Sequence, residues 1–478
     1  MREVLDWKKP YHRFFEEMSR IPHGSFHEKA YSDYLVKFAK ERGLSCKQYE
    51  IGNVIIYKPG TAGYEGHETV VLQAHMDMVW EKTPDSAHVF ETDPLELYIE
   101  DGWLHARGTT LGADDGAGVA YILSVLDDEK LSHPPLECIF TVQEEVGLMG
   151  AYALEPEDIK GRRFISLDDG GGGIVTTIAS AGGLSWKGTR SLEREENRNA
   201  IYRLSVGGLT GGHSGECISQ EKGNAIRLCC RILEALQDHG ELLISEIDGG
   251  DKDNAIPRSC EAGFYSDLPY EEVRRIVEET QKKILEEYRY SDEGFTARVE
   301  EMAGKPVCVQ AVSDELLGFL LLAPDGMRHH SMRIPGLTTA SANLASVKTE
   351  ESSVTVHISL RAAGDSWLDE MEHGLKRLAA LFHMEGDSSS RYPAWEFQEE
   401  SVMQQVMKET VKACMNRELK FLAVHGGLEC GVFKQKWPDM DMVTLGPVGK
   451  DVHTPDERLD LESFDVCYGV LTEFLRRL

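Results

Sequence analysis

Three segments of the chain run from mostly apolar residues into acidic or imidazole side chains: TVVLQAHMD (residues 69–77), LECIFTVQEE (136–145) and RFISLDD (163–169). Apolar runs of this length are typical of strands buried on both faces of a parallel sheet. A helical pattern at Gly116–Leu126 separates the first two segments. We therefore predict an α/β fold with a mostly parallel central sheet. Because ligands collect beyond the carboxyl ends of such strands, the polar ends predict a functional site there.

The sequence pattern changes near residue 183 and again near residue 392. Between these points, alternating strand patterns and amphipathic helices predict a separate α+β domain, and the polar stretch Gly386–Ser390 is predicted to be the linker that follows it. We therefore expect one α/β domain built from residues 1–183 and 393–478, interrupted by an inserted α+β domain at residues 184–392.

The overall charge argues against two classes of partner. The chain has 478 residues with 51 Lys and Arg against 81 Asp and Glu, which gives a formal net charge of −30. Proteins that bind nucleic acid or anionic membranes usually present a basic surface. An acidic chain instead raises the local concentration of cations. We therefore expect no nucleic acid and no membrane as a partner, whereas a cation site is permitted.

The N-terminal region and the cysteines indicate the compartment. Residues 1–18 are charged throughout and lack the apolar core of a secretory signal, and Ser25 is predicted to cap the second helix of this region. The longest apolar stretch, near Leu316–Ala323, is shorter than the ~20 residues of a membrane span. None of the ten cysteines forms a C-x-x-C pair, so we expect reduced thiols. These features predict a soluble, cytoplasmic protein.

The acidic and imidazole residues are predicted to gather at one edge of the sheet. Carboxylates in close quarters raise one another's pKa unless a cation neutralises them. Imidazole and carboxylate together suit zinc, cobalt or manganese better than calcium or magnesium, and the ligands suffice for two metal ions with one shared acid. The candidates are His75, Asp77, Asp114, Asp115, Glu144, Glu145, Asp168, Asp169, His453 and Asp456.

Each of these motifs alone has an ordinary explanation. Asp114-Asp115 in a glycine-rich loop is usually a turn or a helix cap, and Glu144-Glu145 is usually a solvated helix start. Their joint placement after successive strands favours a metal site. The sequence contains no G-x-x-x-x-G-K-[ST] motif, and this argues against a nucleotide-dependent enzyme.

These motifs resemble those of a known family. The residues His75-Met76-Asp77, Gly112–Asp115, Glu144-Glu145, Leu167-Asp168 and His453 are similar to the motifs of the dinuclear-zinc dipeptidase, aminoacylase and carboxypeptidase family. A closer resemblance, to the bacterial aminoacyl-histidine (β-alanyl-histidine) dipeptidases or carnosinases, rests on Thr109–Asp114, Asn254–Arg258, His425–Gly431 and His453–Glu457. The resemblance implies a zinc-exopeptidase-like catalytic domain with an inserted lid and dimerisation domain, and a homodimer.

The resemblance also implies a ligand set for two divalent metal ions, most commonly zinc, with cobalt or manganese as alternatives. Asp114 would bridge the two ions. His75 and Asp168 would complete one site, and Glu145 and His453 would complete the other.

Further roles follow from the same resemblance. Glu144 would act as the general base that takes a proton from the water between the metals and delivers it to the leaving amine. Asp77 would orient the His75 ring through its second nitrogen. His213, within Gly211–Gly215, would stabilise the developing oxyanion.

The resemblance further implies four residues that would hold the substrate. Arg361 would bind the substrate carboxylate, because its planar guanidinium suits bidentate contact. Asn254 and Asn343 would lie in the same pocket, and Glu429 would meet the free amine.

The function that the resemblance implies is metal-dependent hydrolysis of unblocked dipeptides, especially Xaa-His dipeptides including β-alanyl-histidine. One alternative keeps the same chemistry but acts on tripeptides or N-acyl amino acids. An alternative of another class is a non-catalytic dimeric scaffold that binds metal. The non-ligand acid Glu144 argues against the scaffold, since a structural metal site needs no general base.

Overall fold

The computed structural model describes residues 3–195 and 200–478. The chain divides into two compact units. The first unit comprises the residues up to Ser180 together with Trp395–Ala423 and Leu428–Leu478, and the second comprises Ala181–Ala394 and Val424–Gly427.

The helices of the first unit begin at residues suited to that position. Pro10 occupies the first turn of its helix, where the missing N–H costs nothing, and the side chains of Ser401 and Asp460 cap two later helices. The helices are Pro10–Met18, Lys29–Glu41, Ala113–Asp127, Met149–Ala153, Val402–Met415, Glu429–Lys436 and Leu461–Arg477, with a 3₁₀ turn at Pro156–Asp158.

The main sheet of the first unit contains six strands. In spatial order they are Ser45–Gln48, Val54–Lys58, Leu136–Thr141, Val70–His75, Arg163–Ser166 and Asp441–Thr444. The last four run parallel to one another, and the first two pair antiparallel. Every residue of Val70–His75 and Leu136–Thr141 is buried, as expected for strands covered on both faces. The predicted α/β fold with a mostly parallel sheet is confirmed.

Smaller sheets complete the first unit. A four-stranded antiparallel sheet has the order Gly449–Lys450, Arg458–Asp460, Trp103–Ala106 and Leu97–Glu100. Val175–Ser180 pairs with Lys420–Val424. The main chains of Ser180 and Trp395 exchange two hydrogen bonds of 2.9 and 3.0 Å, so the chain leaves and re-enters the first unit at adjacent residues.

The second unit is built on an antiparallel sheet. Its strands lie in the order Thr296–Ala303, Ala200–Gly207, Cys260–Ser266, Leu242–Gly249, Thr338–Thr349, Ser353–Ala362, Gly182–Ser191 and Glu385–Tyr392, and Gly326–His330 also pairs with Thr338–Thr349. Two short pairs join Arg194–Glu195 to Val307–Cys308 and Gly212–His213 to Ala255–Ile256. The helices are Ser214–Cys217, Ala225–Gln237, Tyr270–Tyr288, Gln310–Leu322 and Asp365–Leu381, with a 3₁₀ turn at Ile218–Gln220.

One sequence prediction about this unit is wrong. Gly386–Ser390 is not a linker but the middle of strand Glu385–Tyr392, which pairs with Gly182–Ser191 at the edge of the sheet. Most of its side chains are exposed. Main-chain hydrogen bonds hold the strand in the sheet. Because these bonds do not depend on side chains, the sequence of the strand shows no alternation of apolar and polar residues.

Each unit has its own apolar core. In the first unit, helix Ala113–Asp127 is buried on nearly all sides, with Val119, Ile122 and Leu123 fully buried. In the second unit, Trp186 stacks on Phe319 beneath the sheet. No helix in the described part of the chain is long and apolar enough to cross a membrane.

Candidate active site

The candidate site in the first unit begins at the ends of three neighbouring parallel strands. His75 is the last residue of its strand, Glu144 and Glu145 follow strand Leu136–Thr141, and Asp168 follows strand Arg163–Ser166. Because the strands are parallel neighbours, their carboxyl ends share one edge of the sheet.

Asp114 joins these residues from the start of the buried helix Ala113–Asp127. Its backbone is extended (φ −87°, ψ 106°) rather than helical, and the Asp114–Asp115 peptide bond is cis. Gly112 precedes it with φ +69°, in the left-handed region that favours glycine. A Cβ at residue 112 would come within 2.9 Å of Met78 Sδ, so glycine also allows the loop to pack closely here.

Six side chains form the group that we call the acidic cluster: His75, Asp114, Glu144, Glu145, Asp168 and His453. Asp114 Oδ1 lies 3.0 Å from His75 Nε2, and Asp114 Oδ2 lies 3.4 Å from His453 Nε2. His453 Nε2 lies 2.9 Å from Glu145 Oε1. The structure thus brings together all five predicted metal ligands and the predicted general base.

Within the acidic cluster, three groups of side chains have ligand atoms that all lie within 4.8 Å of one another. Two of the groups share Asp114: one is His75, Asp114 and Asp168, and the other is Asp114, Glu145 and His453. The third group, His75, Glu144 and Glu145, also includes Glu144. The geometry therefore offers two adjacent ligand groups with one carboxylate in common.

The acidic cluster contains more carboxylates than imidazoles. Burial, reinforced by Asp114, raises the pKa of Asp168 to about 8, and burial raises the pKa of Glu144 well above its usual value. Burial opposes ionisation of Asp114 too, but its hydrogen bonds with His453 and His75 outweigh burial and lower its pKa. Closely packed carboxylates with two imidazoles form a donor set that fits a divalent cation of the zinc, cobalt or manganese type.

Asp77 contacts the second ring nitrogen of His75 chiefly through its main chain. The main-chain oxygen of Asp77, 3.0 Å away, accepts the hydrogen bond from His75 Nδ1, while its carboxylate lies 3.6 Å from that nitrogen. The carboxylate instead accepts main-chain N–H bonds from Glu144 (3.0 Å) and Glu145 (3.3 Å) and a hydroxyl bond from Ser25 (2.8 Å). The predicted capping role of Ser25 is wrong, because its hydroxyl orients Asp77 and Glu28 precedes the helix.

Glu457 is a site residue that sequence reasoning did not single out. Its carboxylate is 3% exposed and accepts main-chain N–H bonds from Leu111 (2.7 Å), Gly112 (3.0 Å) and Ala113 (2.9 Å), immediately before Asp114. The available signal was its position four residues after His453 in the motif His453–Glu457.

Glu429 lies in the first unit and is buried, with 2% exposure. Its Oε2 accepts hydrogen bonds from Gln73 Nε2 (2.6 Å) and Thr141 Oγ1 (2.7 Å), while Oε1 has no hydrogen-bond partner among the described residues. Burial raises the pKa of Glu429 to about 7.

In the second unit, the structure brings together three of the predicted residues. Asn343 is buried, and its Nδ2 donates to the main-chain oxygens of Asp253 (3.2 Å) and Ala255 (2.8 Å), which flank Asn254. The Asn254 oxygen accepts the N–H of Ser214, the residue after the exposed His213. Asn343 therefore fixes the segment that carries Asn254 and supports His213.

Arg361 belongs to a second group, which we call the guanidinium cluster: Ser341, Arg361, Tyr392 and His425. Arg361 Nη1 donates to the Tyr392 hydroxyl (3.0 Å), and its buried Nε has no hydrogen-bond partner in residues 3–195 and 200–478. Ser341 Oγ and His425 Nε2 are 2.7 Å apart. Burial, with the Arg361 charge, lowers the pKa of His425 to about 4, so this imidazole is neutral near pH 7. Sequence reasoning missed Ser341 and Tyr392, which carry no motif of their own.

The site can now be compared with known proteins. A family model described as Peptidase family M20/M25/M40 matches residues 71–477. The chain belongs to this peptidase family. Members of this family are hydrolases, and so is this protein.

Two relatives of the M20/M25/M40 family are similar over nearly the whole chain. The cytosol non-specific dipeptidase of Escherichia coli strain K12 is 34% identical over 474 residues, which is 98% of each chain. The crystal structure of aminoacylhistidine dipeptidase from Vibrio alginolyticus has a TM-score of 0.87 and 32% identity, covering 98% of this chain and 96% of that one. The predicted family resemblance is confirmed.

A further solved structure is similar in fold alone. The aminopeptidase PepT of Bacillus cereus has a TM-score of 0.56 and 16% identity, covering 99% of each chain.

Proposed function

We propose that this protein is a metal-dependent dipeptidase that hydrolyses unblocked dipeptides, including Xaa-His dipeptides such as β-alanyl-histidine. The observation that carries the proposal is the pair of ligand groups that share Asp114, with the further acid Glu144 beside them. Two similar proteins are named a non-specific dipeptidase and an aminoacylhistidine dipeptidase, and these names support the substrate class.

The acidic cluster would hold two divalent ions. His75, Asp114 and Asp168 would bind one, and Asp114, Glu145 and His453 would bind the other. Zinc suits this mixture of imidazole and carboxylate best, and cobalt or manganese would also fit. When bound, such ions supply polarisation of the scissile carbonyl and a lower pKa for water.

Glu144 would carry the proton. Its main-chain N–H is fixed by the Asp77 carboxylate, which directs the loop, while its side chain lies near His75 and Glu145. From there it would take a proton from the attacking water and return it to the leaving amine, a role worth typically 10²–10⁴-fold in rate.

The residues of the second unit would handle the substrate. Arg361 would bind the substrate carboxylate through the guanidinium nitrogen that has no protein partner. His213 would stabilise the oxyanion, with Asn254 and Asn343 in the same pocket. In the first unit, the unpartnered oxygen of Glu429 would accept the substrate amine.

The wider organisation is part of the same proposal. The first unit would be the catalytic domain, and the second a lid and dimerisation domain of a homodimer. A cytoplasmic location would agree with the name of the E. coli relative, a cytosol dipeptidase.

A peptide panel tests the proposal. Metal-stripped protein, reloaded with zinc, cobalt or manganese, is offered β-Ala-His, other Xaa-His and Xaa-Xaa dipeptides, a tripeptide and an N-acetyl amino acid. We expect metal-dependent cleavage confined to the dipeptides, and the ratio of His to non-His cleavage measures the preference for histidine. Cleavage only of the tripeptide or the acylated substrate would replace the dipeptide class. Metal binding without any cleavage would favour a scaffold.

The role of His213 has its own test. Replacement of His213 by alanine should reduce kcat while leaving the metal content unchanged, because it is not in any of the ligand groups. An unchanged kcat would rule out the oxyanion role.

A further inference from the structure

Glu457 connects the two loops that carry Asp114 and His453. It lies four residues after His453, and its carboxylate accepts the N–H groups of Leu111, Gly112 and Ala113, just before Asp114. Leu111 and Glu457 are 346 residues apart in the chain. The Glu457 side chain therefore links two segments of the chain. One carries Asp114, which two ligand groups share, and the other carries His453, which belongs to one group.

Both loops start from the same small sheet. Strand Trp103–Ala106 leads towards Asp114, and strand Arg458–Asp460 begins immediately after Glu457. The two strands pair antiparallel. The three Glu457 hydrogen bonds are a further connection between these two chain segments.

The contacts require a carboxylate. Oε2 accepts two N–H groups and Oε1 accepts the third, so both oxygens act only as acceptors. A glutamine amide would place an N–H₂ donor against at least one of these N–H groups. The carboxylate is buried, and buried acids are normally retained only where hydrogen bonds compensate their desolvation.

We propose that Glu457 is a positioning residue that sets the spacing between Asp114 and His453 and thereby the metal affinity of the site. The proposal rests on the metal pair of the proposed function. Glu457 belongs to none of the ligand groups. Its effect passes through the main chain to Asp114, whose Oδ2 lies 3.4 Å from His453 Nε2. Residues that orient ligands in this way typically change metal affinity by roughly 10–100-fold when replaced.

The test compares Glu457→Gln with Asp456→Asn. Both remove one negative charge from the same loop. Asp456 is a candidate from the sequence, but it belongs to none of the ligand groups, is exposed, and its carboxylate makes no hydrogen bond within residues 3–195 and 200–478. Zinc affinity is measured by competition with a chromogenic chelator, without any peptide present. We expect Glu457→Gln to bind zinc roughly 10–100-fold more weakly and Asp456→Asn to match the wild type.

Two further readouts separate positioning from a general structural role. At saturating zinc, Glu457→Gln should recover most of its kcat, since the ligands themselves are intact. The proposal would be overturned if Glu457→Gln bound zinc with wild-type affinity but had a lower Tm both with and without metal. If Glu457→Gln does not fold, Glu457→Asp keeps the charge but is one methylene too short for all three N–H groups, and it should weaken zinc binding less. Equal affinity in Glu457→Asp and wild type would equally overturn the proposal.

Failure of the proposed function gives a different result. A wild-type protein that binds zinc but cleaves no peptide removes the dipeptidase function and leaves the Glu457 measurement valid. A wild-type protein that binds no zinc removes the metal pair and the proposal together.

Discussion

The acidic cluster of the first unit and the guanidinium cluster of the second have opposite electrical requirements. The acidic cluster packs four carboxylates around two imidazoles, and burial raises the pKa of Asp168 to about 8. The guanidinium cluster holds Arg361 beside a tyrosine hydroxyl and a neutral imidazole. In the described part of the chain, Arg361 has no carboxylate partner.

The difference indicates what each cluster needs from outside the protein. The acidic cluster has four carboxylates and only two imidazoles, so a cation would stabilise it. The guanidinium cluster lacks negative charge, and a bidentate carboxylate matches its free donors. Both needs would be met in a metal-dependent hydrolase whose substrate carries a free carboxylate. The metal ion would supply the positive charge, and the substrate would supply the negative charge. The comparison can be tested by removing one group at a time.

The largest effect is expected in the acidic cluster, at Glu144. Replacement of Glu144 by alanine should lower kcat about 10²–10⁴-fold with normal zinc content, because a general base is lost and the ligands remain. The adjacent Glu145→Gln is the matched control and should lose zinc at the group formed with Asp114 and His453. Loss of zinc in Glu144→Ala would assign Glu144 to the ligands, as in the third group, with His75 and Glu145.

A smaller effect is expected in the guanidinium cluster, at Arg361. Arg361→Lys keeps the charge but loses the planar fork, so kcat/KM for dipeptides should fall about 10–100-fold, mostly through KM. The matched control is the substrate itself: dipeptides with a C-terminal amide should be cleaved poorly and equally by both proteins. Equal losses on free and amidated dipeptides would show that Arg361 does not read the carboxylate.

The pH dependence of the unfolding free energy tests whether burial alone keeps Glu429 protonated. In metal-free protein the Glu429 proton is lost near pH 7 in the folded state and near pH 4.5 when unfolded. The folded state therefore binds more protons between these values, and stability falls as pH rises through this window, by at most about 1.4 kcal/mol per unit.

Because Asp168 and Glu144 also have raised pKa values, Glu429→Gln should make this slope shallower without abolishing it, as measured by urea unfolding of metal-stripped protein from pH 4.5 to 7. Glu91→Gln, at an exposed position, is the control and should keep it. An unchanged slope in Glu429→Gln would mean that the folded protein already holds Glu429 ionised.

The smallest effects compare a serine-to-alanine replacement in the guanidinium cluster with one at Asp77, next to the acidic cluster. Ser341→Ala leaves the buried Nε2 of His425 without its 2.7 Å partner, at a cost of about 1–3 kcal/mol in unfolding free energy. Ser25→Ala removes one of three donors to Asp77, which keeps two main-chain N–H groups, so about 0.5–1.5 kcal/mol is expected. Both losses of unfolding free energy are measured by denaturant unfolding. A larger loss in Ser25→Ala than in Ser341→Ala would contradict the view that groups in the guanidinium cluster have fewer alternative hydrogen-bond partners.

Much of the fold could be predicted because it depends on local pattern. The strand ends at His75, Thr141 and Ser166 follow from apolar runs that stop at polar residues. The prediction for Gly386–Ser390 is wrong because an edge strand can be held by main-chain hydrogen bonds alone, without an apolar face. Polar composition therefore did not distinguish a linker from an exposed strand.

The candidate site, like the fold, could be predicted only in part. Its ligand candidates are recognisable by residue type, and the structure brings His75, Asp114 and His453 within hydrogen-bonding range. The supporting contacts are not recognisable, because they involve main-chain atoms. Sequence cannot show that the Asp77 carbonyl, rather than its carboxylate, meets His75, nor that Glu457 meets three N–H groups hundreds of residues away.

The hydrogen-bonded pair Ser180 and Trp395 gives the architecture a modular character. The chain departs from the first unit and returns at two residues that already touch, so an insertion between them adds little loop-closure entropy. Every metal-ligand candidate lies outside residues 181–394, while Arg361 and His213 lie within them. This junction is thus a natural graft point, at which exchanging one inserted sequence for another can change what is recognised while every metal-ligand candidate is retained.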